Sequence, residues 1–251
     1  MPLSLSKLIG FGDYMYVLLH KYLEHEGYRD YVDSIQGDTV VYLDNSAFEL
    51  GESLDNKVLY DAFKRIKPSV VILPDVLGEK DITITRTQEF LNEYPDTHDY
   101  SMAVIQGNSP EEMIECYKVF DSDPRIKYIA IPFVYSWAEK IPHVQANERQ
   151  LLLAHMNTHV INKDRKHHLL GTWWANEFNY YRDYEWVYSV DTSNPVMAAL
   201  DGKRYTPGRG VVDKPYSKFD TVIDLQLEQI DVDMVKYNIK QFKEIVNGSC
   251  Q

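Results

Sequence analysis

Four polar side chains stand where apolar runs of this chain stop. Asp44 closes "TVVYLD" (39–44), Asp75 closes "SVVILPD" (69–75), Gln106 sits near the end of "SMAVIQG" (101–107), and Asp191 closes "WVYSVD" (186–191). Gly171 and Thr172 end a further run, "HLLGTW" (168–173). An ionised carboxylate only accepts hydrogen bonds, and it can carry a proton or attack an electrophilic carbon. Any single Asp after a strand can instead cap the following helix. Capping does not account for Gln106, nor for the aromatic Phe48 four residues beyond Asp44. Residues 45–47 are Asn, Ser and Ala, small enough for the chain to turn and lean Phe48 back across a pocket. A flat ligand would stack on that ring while carboxylates accept from its N–H edge and the Gln106 amide donates to a carbonyl.

These groups converge only if the runs that carry them are strands of one parallel sheet. The runs at 39–44, 69–75, 101–107, 127–133, 168–173 and 186–191, with "KLIGFG" (7–12) before them, are near-continuously apolar. That pattern suits strands covered on both faces. A weaker eighth run, "PVMAAL", spans 195–200. Helical signals alternate with the strands. Residues 54–66 place Leu54, Val58, Leu59, Ala62, Phe63 and Ile66 on one face. In 109–120, Ser109 caps, Pro110 takes the first helical position and Glu112 completes a capping box. Residues 147–161 and 226–246 are further amphipathic helices. Repeated strand then helix over 251 residues predicts a single-domain (β/α)₈ TIM-like barrel spanning 1–251, with a doubly wound open sheet as the alternative. In either fold, ligands bind at the carboxyl ends of the strands, where Asp44, Asp75, Gln106 and Asp191 fall.

Composition narrows the chemistry. A net charge of -12 argues against non-specific coating of nucleic acid. One segment runs the other way: 201–218 carries Lys203, Arg204, Arg209, Lys214 and Lys218 against Asp201 and Asp213. It reads as a loop, either solvated or gripping phosphates. Residues 171–186 are rich in Trp173, Trp174, Phe178, Tyr180 and Tyr181, which suit either stacking on splayed bases or packing. Cys116 and Cys250 are the only cysteines, so neither a disulfide framework nor a cysteine-built zinc site is expected. His167 and His168 fall at a strand start, the wrong end of a barrel for chemistry. The N-terminus lacks the pattern of a secretory signal and no run reaches bilayer-spanning length. A cytoplasmic protein is the expectation, without a membrane partner.

In their order along residues 40–200, these motifs resemble the tRNA-guanine transglycosylase superfamily. "LDNSAFE" is similar to that family's Asp-Ser-Gly-Gly-aromatic loop, "LPDVLG" to its second Asp strand, and "AVIQGNSPEEM" to its Val-Gln-Gly strand and helix. "YIAIPFVY" occupies the place of its base-contacting glycine segment, and "YSVDTSNP" that of the strand bearing its nucleophilic Asp. The resemblance implies Asp191 as nucleophile and Asp44 as the acid that handles the proton. It implies Asp75, Gln106, Gly107 and Asn45 around the base edge, with Phe48 stacked on the base. The family's zinc motif is missing, its Gly-Gly loop is Ser46-Ala47 here, and Ile131-Pro132 replaces its second Gly-Gly. A compact, zinc-less member looks most like the phage-type enzymes that exchange guanine in DNA for a 7-deazaguanine such as preQ0, acting in the host cytoplasm. The implied partners are DNA, gripped by Lys203, Arg204, Arg209 and Lys214, and the incoming base, with no cofactor. The alternatives are tRNA as substrate, a TIM-barrel hydrolase or aldolase, and a non-catalytic base-binding protein.

Overall fold

The computed structural model describes residues 2–6, 12–35, 37, 39–133, 144–172, 174–211 and 215–248, without the side chains of 144–147 and 220. Contacts divide the chain into two compact units, each discontinuous in sequence. The larger comprises Tyr14–Leu169 and Trp186–Ser189, the smaller Met1–Asp13, Leu170–Glu185 and Val190–Gln251.

The sheet has seven parallel strands whose spatial order follows the chain: β1 (Met15–Leu18), β2 (Val41–Asp44), β3 (Val70–Ile72), β4 (Ser101–Val104), β5 (Tyr128–Pro132), β6 (Lys166–Leu170) and β7 (Val187–Val190). The protein is therefore α/β. Every residue of β2, β3 and β4 is buried, as expected of strands covered on both faces. Within the larger unit, strands distant in this order touch. The Tyr16 ring on β1 stacks on His168 of β6 with centroids 6.3 Å apart. His168 lies 5.8 Å from Tyr42 of β2, and Ser189 of β7 hydrogen-bonds both the His168 Nδ1 (2.8 Å) and Tyr42. A flat sheet could not bring these side chains together, so this one is rolled.

Two expectations about strands change. Most of the run 7–12 lies outside the described residues, and the first strand is instead "MYVL", with alternating burial. Residues 195–200 are not a strand but part of helix Asn194–Leu200. Pro195 sits in its first turn, and Met197, Ala198, Ala199 and Leu200 are strong helix formers.

The helices of the larger unit are α1 (Leu19–Glu24), α2 (Glu26–Ser34), α3 (Ala47–Leu50), α4 (Asn56–Ile66), α5 (Lys80–Glu93), α6 (Pro110–Ser122) and α7 (Val144–His159). In α4, Asp55 accepts from the Lys57 N–H, and Leu59, Ala62, Phe63 and Ile66 are buried on the predicted face. Ser109 caps α6 as expected, accepting from the Glu112 N–H at 3.1 Å. The Glu112 carboxylate, however, accepts from the Asn108 N–H (2.7 Å), one residue before the position a capping box would use. The smaller unit holds α8 (Asn194–Leu200), α9 (Phe219–Val222) and α10 (Val232–Asn247), around a core of Leu5, Val196, Ala199, Ile230 and Val235. The helix predicted from 226 begins only at Val232, because Asp231 caps it there by accepting from the Met234 N–H at 2.9 Å. Among the described residues no helix is long and apolar enough to cross a membrane.

Candidate functional site

At the tip of β2 the chain passes from extended backbone into a tight corner. Asp44 is the last strand residue and is buried. Ser46 adopts the left-handed conformation, φ 66°, before α3 begins at Ala47. This conformation disfavours side chains other than Gly and Asn. It turns the Ser46 N–H back to the Asp44 Oδ2 at 3.2 Å. The Ser46 hydroxyl is engaged twice by His20, which follows β1. It accepts from the His20 backbone N–H (3.1 Å) and lies 2.8 Å from the His20 Nδ1. Neither Ser46 nor His20 stood out in the sequence. Ser46 was visible only as a small residue between an acid and a ring, and no local pattern links it to a histidine 26 positions earlier.

Asn45 begins a chain of hydrogen bonds across three strand tips. Its Oδ1 accepts from the Ala47 N–H at 2.8 Å, and its Nδ2 donates to the Leu73 carbonyl (2.6 Å) and to the Asp75 Oδ1 (2.7 Å). The other Asp75 oxygen accepts from the Gln106 Nε2 at 2.6 Å, and the Gln106 Oε1 accepts from the Gly78 N–H at 3.1 Å. Asp75 is only 3% exposed. Burial drives its carboxyl up to about 6, against the two amide hydrogen bonds, which pull it down. One of its oxygens also accepts from its own backbone N–H. Gly107 is fixed by packing: a Cβ there would lie 2.7 Å from the Glu112 Cβ and 2.9 Å from the Met113 N of α6. Cys116, buried on the same helix, has its thiol pushed up to about 12 by burial and is inert as a nucleophile at neutral pH.

Phe48, on α3, is 55% exposed, and its ring centroid lies 6.2 Å from that of Phe133, which follows β5. The larger unit thus brings together Asp44, Asn45, Phe48, Asp75, Gln106 and Gly107 at the carboxyl ends of β2, β3 and β4. His167 and His168 are both buried in β6. His167 faces Tyr117 of α6, its Nε2 3.1 Å from the phenol oxygen, and burial lowers it to about 4, so it is neutral. Among the described residues no group of three or more His, Cys, Asp or Glu is placed to hold a metal.

Asp191 belongs to the smaller unit, directly after β7. Its Oδ1 accepts from the Gly171 N–H at 2.7 Å, and its carbonyl lies 3.4 Å from the Thr172 hydroxyl. Gly171 takes φ 68°, a conformation that suits glycine. The basic segment is pinned at its ends by Asp201, whose carboxylate accepts from the backbone N–H groups of Tyr216 and Ser217 and from the Ser217 hydroxyl. Lys203 does not present its charge to solvent. Its Nζ is buried 4.3 Å from the Tyr216 ring centroid, without a hydrogen-bond partner among the described residues. Arg204 lies over the Tyr237 ring at 3.6 Å, Arg209 is exposed, and Lys214 lies outside the described residues. Of the aromatic block, Phe178 and Tyr181 are core, Phe178 meeting Phe242 edge-to-face at 5.6 Å. Tyr180 is exposed, and Trp173 lies outside the described residues.

Neither protein-family models nor curated proteins give a match to this chain.

Proposed function

We propose that this chain is a base-exchange transglycosylase that replaces guanine in DNA with a 7-deazaguanine such as preQ0, shielding phage DNA from restriction. The observation that carries the reading is the chain of polar groups over three consecutive strand tips, Asn45 to Asp75 to Gln106, beside Asp44 and an exposed Phe48. Such a cluster offers acceptors and an amide to the edge of a flat heterocycle and a ring to its face. The consecutive strand order supports a (β/α)₈ barrel, of which seven strands are described.

In this reading an Asp191 carboxylate oxygen attacks C1′ of the target nucleoside. The C1′–N9 bond breaks, its electron pair leaves with guanine, and Asp44 supplies a proton to the departing base. The incoming base gives its N9 proton to Asp44 as N9 attacks C1′, and the Asp191–sugar bond breaks in return. Both displacements pass through oxocarbenium-like transition states. The Gly171 N–H, 2.7 Å from its Oδ1, orients the Asp191 carboxylate. The chemistry calls for no metal or redox cofactor. The target nucleotide has to leave the base stack, and the exposed Arg209, with Arg204 and Lys214, is assigned to the flanking phosphates.

The test incubates the protein with DNA and with tRNA, each with labelled preQ0, preQ1 or guanine. Label enters DNA, and Asp191→Ala abolishes its entry. Entry into tRNA alone overturns the DNA assignment. Entry into neither leaves a hydrolase or a non-catalytic base-binding protein.

A further inference from the structure

We infer that Phe133 is the second wall of an aromatic clamp, and that a purine-sized heterocycle binds between its ring and that of Phe48. Phe48 follows β2 and Phe133 follows β5, so β3 and β4 lie between them in the sheet. The rings nevertheless meet, at 6.2 Å and an angle of 41°. Asp75 and Gln106 stand at the tips of those two intervening strands. A planar ligand held face-on by the two rings has its edge available to those polar groups.

Ring carbons in contact stand about 3.5 Å apart, so a flat heterocycle with a ring on each face needs the two walls about 7 Å apart and parallel. The pair, with centroids 6.2 Å apart and faces tilted by 41°, has to open and turn parallel to admit one. Phe48 can make this movement, because it is 55% exposed on a four-residue helix. Phe133 is the fixed wall: it is half-buried, and the guanidinium of the fully buried Arg149 lies 5.9 Å from its ring centroid. A cation behind one face of an aromatic ring stiffens its placement. The two phenyl faces give affinity without sequence information, and choice among bases falls to the edge groups.

The choice of guanine and preQ0 as ligands rests on the transglycosylase reading; the clamp itself can be tested apart from exchange. Titration calorimetry with guanine and with preQ0 on the whole chain compares the wild type with Phe133→Ala, Phe133→Leu and Phe133→Tyr. Base stacking on an aromatic side chain contributes enough that Phe133→Ala and Phe133→Leu should weaken binding about tenfold or more, whereas Phe133→Tyr keeps it. Circular dichroism reports folding, and if the Ala variant does not fold, the Leu variant decides. Binding of the Leu variant within about twofold of wild type overturns the clamp, as does a wild type that binds neither base. In the exchange assay, Phe133→Leu should raise KM for the incoming base with little change in kcat. Exchange that proceeds unchanged in that variant removes the clamp and leaves the transglycosylase standing. Phe133-dependent binding without any exchange keeps the clamp and removes the transglycosylase.

Discussion

Replacing Asp75 by Asn tests the electrostatics of the strand-tip cluster. The Asp75 carboxyl rises from 3.8 to about 6 because burial disfavours its charge more than the two amide donors favour it. A group whose folded pKa exceeds its unfolded value contributes stability that is complete below the unfolded value and is lost as pH rises through the folded value. For Asp75 the window runs from just below pH 4 to just above pH 6. The rise of about two units corresponds to roughly 3 kcal/mol at 1.36 kcal/mol per unit. Asp75→Asn removes this dependence. Asn45 and Gln106 both present N–H₂ groups to Asp75, and a neutral group there, amide or protonated carboxyl, sets a donor of its own against one of them, so the variant resembles the protonated wild type. Urea unfolding of both proteins from pH 4 to pH 8 measures the difference. The variant should lie within about 1 kcal/mol of wild type at pH 4, gain about 3 kcal/mol relative to it by pH 7, and hold level above that. Parallel stability curves over the whole range would refute the raised pKa and the burial argument behind it.

Ser46 separates backbone strain from hydrogen bonding. Ser46→Ala keeps the positive φ and loses both contacts to His20, so it should destabilise by about 2–3 kcal/mol. Ser46→Gly loses the same contacts but relaxes the backbone, and thermal unfolding should place it about 1 kcal/mol above the Ala variant. On the proposed DNA reading, Arg209→Gln should reduce the slope of log K against log[salt] by about 0.9, whereas Lys203→Gln should leave it almost unchanged, its ammonium being buried on Tyr216. Fluorescence anisotropy across a salt series checks both, and equal effects would show that Lys203 reaches phosphate.

Much of the fold was legible because buried parallel strands are continuous apolar runs, and six runs from 39 to 191 overlap β2 to β7, although no residue of β7 is fully buried. The first strand was not, although residues 14–19 are all aromatic or aliphatic: the apolar run at 7–12 stands just before it and reads as the strand in its place. Residues 195–200 misled because an all-apolar segment of six residues fits a buried helix as well as a strand. At the site, strand-end acids and the Gln were visible as breaks in hydrophobicity. That Asp75 and Gln106 bond to each other, that Ser46 is held by His20 and that Phe133 meets Phe48 depend on the register of separate strands, which no local pattern records. The basic segment showed the opposite failure. Counting charges cannot reveal that Lys203 folds back onto an aromatic face while Arg209 does not.

The ring cluster of Tyr14, Tyr16, Tyr42 and His168 also constrains how the chain reaches its fold. The tyrosines leave the ribosome early, and their histidine partner follows only after five strands have been made. At synthesis rates of about 5–20 residues per second, that delay is on the order of ten seconds. Throughout it the nascent sheet has tyrosine faces uncovered and strand edges unpaired, the condition in which chains recruit holdases or associate with one another. Covering the first strands during translation is therefore a demand separate from the stability of the finished sheet.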